Sequence, residues 1–303
     1  MAVQQTAFQQ FLENEVNKVK GIYYPVKAGF LTQAFVRKAV PKKLHPNPGD
    51  EFCDPKIGPN YEIISGYEKQ YRQAGRNPNN LLYTDGEIKE PLMVEKTHPD
   101  GYMILNGHHR WAAAMRADMK KIRIKVINLT RDSDLQKMLS ASGFERSASL
   151  DLDEVLFVNP QTHKTEPQLP FPMKYLYPER LRLGTPELIR SLQRLGYEVW
   201  VYTSSFRSES YIRQLFRQYG EKFNGIVNGQ RHEKEVQGNS PRRLPQKMPT
   251  HYRISLHIDD EEVICTAARQ HGFRAYQLNA EDDDWKEKII ERAAQIRKLE
   301  HFE

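Results

Sequence analysis

Two carboxylates two positions apart, Asp151 and Asp153, come directly after the short segment Ser-Ala-Ser-Leu at residues 147–150. Side chains two positions apart point the same way where a chain is extended. One carboxylate can attack a phosphorus atom while the other transfers a proton, and a bound Mg²⁺ can hold these groups and the phosphate in position. An Asp-x-Asp pair is common by chance, so its interpretation depends on the residues downstream of it in the chain.

Two later segments also deliver polar groups at predicted strand ends. The buried strand Glu198–Thr203 ends in Thr203, and a strand over Ile254–Ile258 leads into Asp259 and Asp260. Strands alternate with helices here, which predicts a parallel sheet with right-handed crossovers. Such sheets bind ligands at the carboxyl ends of their strands. We therefore expect these polar groups to meet the Asp-x-Asp pair at one edge of a sheet.

The order of these groups, with Lys247 shortly before the last acidic pair, resembles the haloacid dehalogenase (HAD) superfamily over about residues 147–300. Asp-Leu-Asp-Glu-Val-Leu followed by Val-Trp-Val-Tyr-Thr-Ser-Ser is most similar to its capless phosphatases, with Val155 where Thr is usual. The resemblance implies an α/β, Rossmann-like parallel-sheet domain with a minimal cap.

The same resemblance implies a role for each group. Asp151 would be the nucleophile and Asp153 the general acid/base, Thr203 would bind the phosphoryl oxygens, and Lys247 would neutralise them. Lys234 is the alternative to Lys247. The implied cofactor is Mg²⁺, with the ligand set Asp151, Asp153, Asp259 and Asp260. His257, inside the last strand, is predicted to be a packed histidine.

The first half of the chain has a second feature of interest, Gly107-His108-His109-Arg110, between a predicted strand at 102–105 and a helix at 111–119. A helix N-terminus attracts phosphate, Gly107 permits close approach of the backbone, and His108, His109 and Arg110 add side-chain donors. The alternative is a pair of core or surface histidines in a turn.

This corner resembles the signature of the ParB/sulfiredoxin superfamily, in the form found in its free serine kinase branch. The resemblance covers roughly residues 35–128 and implies a small mixed α+β domain in which the corner contacts nucleotide phosphates. ATP or ADP would be the ligand, and Glu51 could activate a hydroxyl group as in a kinase or ATPase. Asn106 stands where many kinase-like members have Asp, and an amide cannot act as a base.

The predicted organisation has four parts. An N-terminal helix and lead-in is followed by the ParB/sulfiredoxin-like domain, a linker and the HAD-like domain, at residues 1–34, 35–129, 130–146 and 147–303. No apolar run is long enough for a membrane span, and the start lacks the regions of a signal peptide, so no membrane partner is expected and the default location is cytoplasmic.

Net charge is +6 with a sequence pI near 9.1, which favours anionic ligands but also suits a solvated surface. A basic cluster contributes to this balance: Arg231, Lys234, Arg242 and Arg243. The leading hypothesis is a Mg²⁺-dependent phosphatase joined to a nucleotide-binding domain, acting on a nucleic-acid end or a phosphoprotein. The alternatives are a ParB-like DNA-binding or nuclease protein with a non-catalytic second domain, and a non-catalytic partner-binding protein.

Overall fold

The chain forms two compact units, Met1–Asn128 and Leu129–Glu303. The computed structural model describes residues 2–19, 21–74, 88–143, 146–229, 247–279 and 281–300, with side chains at 2–6, 74 and 300 excepted. The basic cluster at residues 231–243 lies outside the described residues. None of the described helices is long and apolar enough to cross a lipid bilayer.

The first unit is a mixed sheet with helices against it. Its sheet has the order β2-β6-β4-β5-β3, with β1 pairing with β4. β4 pairs antiparallel with β5 and parallel with β6. The strands are β1 Tyr24–Pro25, β2 Arg37–Ala39, β3 Leu44–His45, β4 Leu92–His98, β5 Tyr102–Asn106 and β6 Ile122–Val126. The helices are α1 Ala2–Val19, α2 Phe30–Ala34, α3 Tyr61–Ala74 and α4 His108–Arg116.

Alternating burial in β6 shows why this sheet forms. Ile122, Ile124 and Val126 are buried while Arg123 and Lys125 are only partly so, which is the period-two pattern of a strand covered more on one face than on the other. The buried face packs against the strands and helices of the unit, including a run of α4 that is apolar and fully covered, Trp111–Ala114.

The second unit contains a five-stranded sheet of order β11-β10-β7-β8-β9, in which every neighbouring pair is parallel. The predicted α/β fold with a parallel sheet is therefore confirmed. The strands are β7 Ser147–Leu150, β8 Glu198–Tyr202, β9 Gly225–Val227, β10 Leu256–Asp259 and β11 Ala275–Gln277. The helices are α5 Asp132–Ala141, α6 Met173–Leu176, α7 Thr185–Arg194, α8 Glu209–Gln218, α9 Glu262–His271 and α10 Trp285–Glu300.

Buried apolar stripes on the helices cover this sheet. Leu188, Ile189 and Leu192 of α7 share one core with the strands, together with the apolar face of α10. The edge strand β9 is packed closely against β8, because a Cβ at Gly225 would lie 2.1 Å from Cε3 of Trp200. Only glycine can occupy that position without moving the tryptophan.

Helix α5 lies in the predicted linker, and its Leu135 packs with Trp200 in a core of the second unit. The N-cap residue of α7 is Gly184, and the Thr185 hydroxyl donates to Arg182 O. β10 begins at residue 256 instead of 254 and includes Asp259. The segment between β7 and α7 contains one short helix, α6, in keeping with a minimal cap.

Candidate active site

The three predicted strand ends meet at one edge of the second unit's sheet. Asp151 comes after β7, Thr203 after β8 and Asp259 ends β10, and β7 lies between the other two strands. The register aligns Leu150 with Ile258, and Asp151 N donates to Ile258 O over 3.0 Å. Because the strands are parallel, their carboxyl ends coincide, and the side chains gather as the sequence predicts.

Lys247 joins two of these carboxylates. Its Nζ lies 2.5 Å from Asp259 Oδ2 and 3.1 Å from Asp151 Oδ1, and the residue is 2% exposed. A buried ammonium is stable only where carboxylates compensate its charge. Lys247 therefore lies beside Asp151 and Asp259, as the family resemblance implied. The alternative, Lys234, lies outside the described residues.

Asp259 is held from three sides. His257 Nε2 lies 2.8 Å from Asp259 Oδ2, and His257 Nδ1 lies 2.7 Å from Ser149 Oγ. Glu261 N donates to Asp259 Oδ1 over 3.0 Å. This arrangement suits a neutral imidazole that accepts from the serine hydroxyl and donates to the carboxylate, and burial lowers the pKa of His257 accordingly. The predicted packed histidine thus also orients Asp259.

The two carboxylates have different acidities. Burial raises the pKa of Asp151 to about 6, although Lys247 opposes this effect. Burial also acts to raise the pKa of Asp259, but the hydrogen bond from His257 and the ammonium of Lys247 outweigh it and lower the pKa to about 2. Asp259 is consequently a permanently ionised group at neutral pH.

The residues present fit a divalent cation. Asp151, Asp259 and Asp260 each offer one carboxylate oxygen, and these three atoms lie within 4.8 Å of one another. Asp151 Oδ1 is buried and, apart from its ion pair with Lys247, makes no hydrogen bond within the described part of the chain. Hard oxygen donors of this kind suit Mg²⁺. Asp153 was also predicted as a ligand, but among the described side chains it is not part of this cluster.

Asp153 instead forms an ion pair at the mouth of the site. Arg207 Nη1 lies 2.9 Å from Asp153 Oδ2, and Arg207 Nε lies 3.4 Å from Glu179 Oε1. The Tyr211 hydroxyl donates to Glu179 Oε2, and the guanidinium lies 5.1 Å from the ring centroid of Phe157. The side chain of Asp153 remains 48% exposed.

Sequence reasoning missed Arg207, Glu179 and Tyr211. Arg207 lies four positions after Thr203, so a polar run continuing past a strand end was an available signal. Glu179 and Tyr211 come from a loop and a helix far apart in sequence, and no local pattern indicates that they meet.

The Gly-His-His-Arg corner of the first unit has a structural role that was not expected for Arg110. This residue is 4% exposed, and its guanidinium donates to Glu90 O over 2.8 Å and to Asn106 Oδ1 over 3.3 Å. It also forms an ion pair of 3.1 Å with Glu90 Oε1. Arg110 therefore ties α4 to the chain preceding β4, and the geometry does not favour the predicted contact of its side chain with a phosphate.

The two histidines of the corner also face inward. His108 Nε2 accepts from Asn47 N over 3.2 Å, and His109 Nε2 accepts from Asn60 N over 3.0 Å. Phe52 lies against both imidazole rings, with centroids 5.4 and 5.0 Å away. Their contacts fix the loop before α3, and both histidines lie in the first turn of α4 instead of the predicted turn between strand and helix. His108 is buried and His109 is half-buried, which is closer to the alternative of core or surface histidines than to a phosphate site.

Glu51 lies at the start of a 3₁₀ turn, Glu51–Cys53, in that same loop, and its side chain is exposed. It lines a cleft between α1 and the segment 48–59. Nothing in this geometry supports kinase or ATPase chemistry, because the basic groups predicted to hold the nucleotide are engaged elsewhere.

Gly107 is required at this corner for two reasons, which leads to a prediction. Its φ is +101°, and a Cβ would lie 2.9 Å from Leu92 Cγ and 3.0 Å from Arg110 Nη2. We expect Gly107→Ala to lower the local stability of α4 by about 2–4 kcal/mol through backbone strain and overpacking. Hydrogen exchange of the α4 amides in the intact chain measures this loss.

Gly21→Ala is the matched control, since Gly21 has φ +79° and a Cβ placed there would have nothing within 4 Å. It tests backbone strain alone, and we expect a local loss of about 1 kcal/mol. Equal losses for the two substitutions would contradict the packing argument.

Comparison with known proteins relates part of the chain to a family. Residues 80–143 match the ParB N-terminal domain, a segment well under half of the chain that reaches from before β4 to the end of α5. The chain therefore contains a ParB-like segment. No curated protein was found to match the chain.

Solved structures show weaker similarity. ParB from Caulobacter crescentus complexed to the centromeric parS site has 23% identity over 35% of this chain and 46% of its own, with a TM-score of 0.22. The same protein complexed with CTP-γ-S has 24% identity over 37% and 66%, with a TM-score of 0.24. Both matches span less than two thirds of that protein's solved chains.

A HAD-superfamily hydrolase, subfamily IA, variant 1, from Geobacter sulfurreducens PCA is also similar to this chain. It has 14% identity over 48% of this chain and 98% of its own, with a TM-score of 0.32. Similarity at these identities and TM-scores does not establish a shared activity for either unit.

Proposed function

We propose that this chain, which carries a ParB-like segment, is a Mg²⁺-dependent phosphomonoesterase whose site lies in its second unit. One observation carries the proposal: the carboxylates of Asp151 and Asp259 share the buried ammonium of Lys247 at the carboxyl edge of a parallel sheet. Asp260 completes a cluster of oxygens suited to Mg²⁺. This combination is what a HAD-type phosphatase needs to bring a carboxylate against a phosphate dianion.

In this proposal Asp151 attacks the phosphorus atom and forms an aspartyl-phosphate, while the bond from phosphorus to the leaving oxygen breaks. Asp153 gives its proton to that oxygen. It then accepts a proton from the water molecule that attacks the phosphorus, which releases phosphate and restores Asp151. The 48% exposure of its side chain supports this role.

Charge compensation decides whether such a step can occur. A phosphate dianion approaching ionised Asp151 and Asp259 is repelled, and in a buried site that repulsion amounts to several kcal/mol. The ammonium of Lys247 and the hydroxyl of Thr203 offset it by binding the equatorial oxygens. Mg²⁺, when bound by Asp151, Asp259 and Asp260, supplies further positive charge to the phosphoryl group.

Metal dependence tests the proposal. We expect phosphate release from para-nitrophenyl phosphate to cease in EDTA and to return with Mg²⁺. Asp259→Asn should reduce kcat/KM by about 10²–10³-fold, because it removes a ligand and an anchor of Lys247. Asp283→Asn is the control, since that carboxylate is 86% exposed and paired only at the surface. Activity that persists in EDTA and in Asp259→Asn would contradict the proposal.

The ParB-like segment favours a second candidate, a nucleotide- or nucleic-acid-binding protein with a non-catalytic second unit. ParB of Caulobacter crescentus was solved with parS DNA and with CTP-γ-S, so both ligand types are suitable probes. Binding of either by a chain that shows no metal-dependent phosphate release would support this second candidate over the first.

A further inference from the structure

We infer that the phosphatase substrate is a single-stranded nucleic-acid end, whose terminal phosphate enters the site while neighbouring bases stack on an exposed aromatic platform. The platform consists of Phe171 and Tyr175, with Lys174 beside them, in the segment between β7 and α7. The inference rests on the proposed phosphatase function and names the substrate class of that same site.

The platform presents two aromatic rings to solvent. Phe171 is 77% exposed and Tyr175 is 72% exposed, and their ring centroids lie 6.2 Å apart at 81°. Lys174 Nζ lies 5.1 Å from the centroid of the Tyr175 ring. Adjacent exposed rings are unfavourable in water unless something covers them, and they mark binding sites more often than single exposed apolar residues do.

The backbone of the platform is already ordered. Pro170 and Pro172 flank Phe171 and restrict the chain on both sides. Lys174 N donates to Pro170 O over 3.2 Å, and Tyr175 N donates to Pro172 O over 3.1 Å. A surface that is fixed before binding loses little conformational entropy when a ligand stacks on it.

Contacts connect the platform to the mouth of the site. The ring of Tyr177, two residues after Tyr175, lies 5.1 Å from the ring of Tyr211. The Tyr211 hydroxyl donates to Glu179, which lies 3.4 Å from Arg207, and Arg207 is paired with Asp153. The segment that carries the platform is therefore linked, through Tyr177, to the side-chain contacts of the proposed acid/base.

The chemistry of this region favours a nucleic acid. Exposed aromatic rings beside a cation, here Lys174, suit a single strand without regard to sequence, because every base has a stacking face and every linkage a negative charge. A phosphopeptide offers neither the repeated stacking faces nor the repeated charges.

The experiment compares two substrates on the full-length chain with Mg²⁺: para-nitrophenyl phosphate and an oligonucleotide carrying a terminal phosphate, in 3′ and 5′ forms. We expect the Phe171→Ala/Tyr175→Ala variant to raise KM for one or both oligonucleotides by about 10- to 100-fold. Its kcat/KM for para-nitrophenyl phosphate should stay within about twofold of wild type. Phe171→Trp/Tyr175→Trp should restore a low KM, because it keeps the stacking faces.

Two results would overturn the inference and leave the phosphatase intact. In the first, the wild type hydrolyses para-nitrophenyl phosphate, but the alanine variant has the same KM for the oligonucleotides as the wild type. The other is a lower wild-type KM for a phosphopeptide than for both oligonucleotides. Wild-type inactivity on every substrate would instead remove the proposed function, and the inference with it. Val263→Ala, at a residue 73% exposed elsewhere in the second unit, controls for loss of surface apolar area.

Discussion

Asp151→Asn should abolish metal-dependent phosphate release, with kcat lowered on the order of 10⁴-fold. An amide cannot attack phosphorus, and removing the nucleophile leaves only the binding and electrostatic contributions of the site. Asp151 is nearly buried between strand ends, and its backbone is fixed by hydrogen bonding to β10. A phosphate-release assay on wild type and variant measures the loss.

The same substitution should stabilise the metal-free protein at pH 8. Burial raises the pKa of Asp151 to about 6, so the folded chain binds this proton more tightly than the unfolded chain. The stability that this bound proton contributes is fully present below the pKa of Asp151 in the unfolded chain, and it is lost as the pH rises through about 6. Asn cannot ionise, so in EDTA at pH 8 we expect up to about 3 kcal/mol of additional stability, which should vanish near pH 4.

The control is again Asp283→Asn, where the exposed side chain should change neither activity nor stability. Retained activity in Asp151→Asn would contradict the nucleophile assignment. Lost activity together with lower stability at pH 8 would instead indicate that the variant is misfolded.

Lys247→Met should eliminate activity and also destabilise the second unit. Methionine keeps much of the side-chain length but removes the ammonium that lies between Asp151 and Asp259. Removing one partner of a buried ionic group leaves an uncompensated charge, which costs about 3–5 kcal/mol. Thermal unfolding in EDTA at pH 8 measures the loss, and Lys164→Met, at a lysine 71% exposed, is the control.

A second substitution separates charge from packing. In an Asp151→Asn background, Lys247→Met leaves one buried carboxylate instead of two, so the loss of stability should shrink by at least about 1 kcal/mol. Added Mg²⁺ should restore part of the stability of the Lys247→Met single variant, since the cation replaces the missing positive charge. An equal loss in both backgrounds would show that Lys247 acts through packing alone.

The site was predictable from sequence where regular structure decides geometry. Parallel strands bring their carboxyl ends together, so Asp151, Thr203 and Asp259 could be assigned to one edge from the strand pattern alone. Lys247 comes from a non-repetitive segment, and only the resemblance to a known family indicated it. The pairing of Asp153 with Arg207 was missed, because a loop after one strand and a carboxylate after another carry no shared pattern.

The corner of the first unit shows the opposite case. Gly107-His108-His109-Arg110 has the composition of an anion site, yet Arg110 and His108 face inward and bind backbone and side-chain groups of their own unit. Composition states which groups can donate hydrogen bonds but not where they point. That orientation depends on the positive φ of Gly107 and on a loop residue 61 positions before His108, which local sequence does not encode.

The most direct test of the central claim is the identification of the phosphorylated residue. Protein mixed with para-nitrophenyl phosphate and Mg²⁺ is quenched in acid, reduced with borohydride and digested for mass spectrometry. An aspartyl-phosphate at position 151 would be converted to homoserine there, and we expect this product in wild type and its absence in Asp151→Asn. Turnover without homoserine at position 151, or with a phosphoryl group on another residue, would contradict the proposed mechanism.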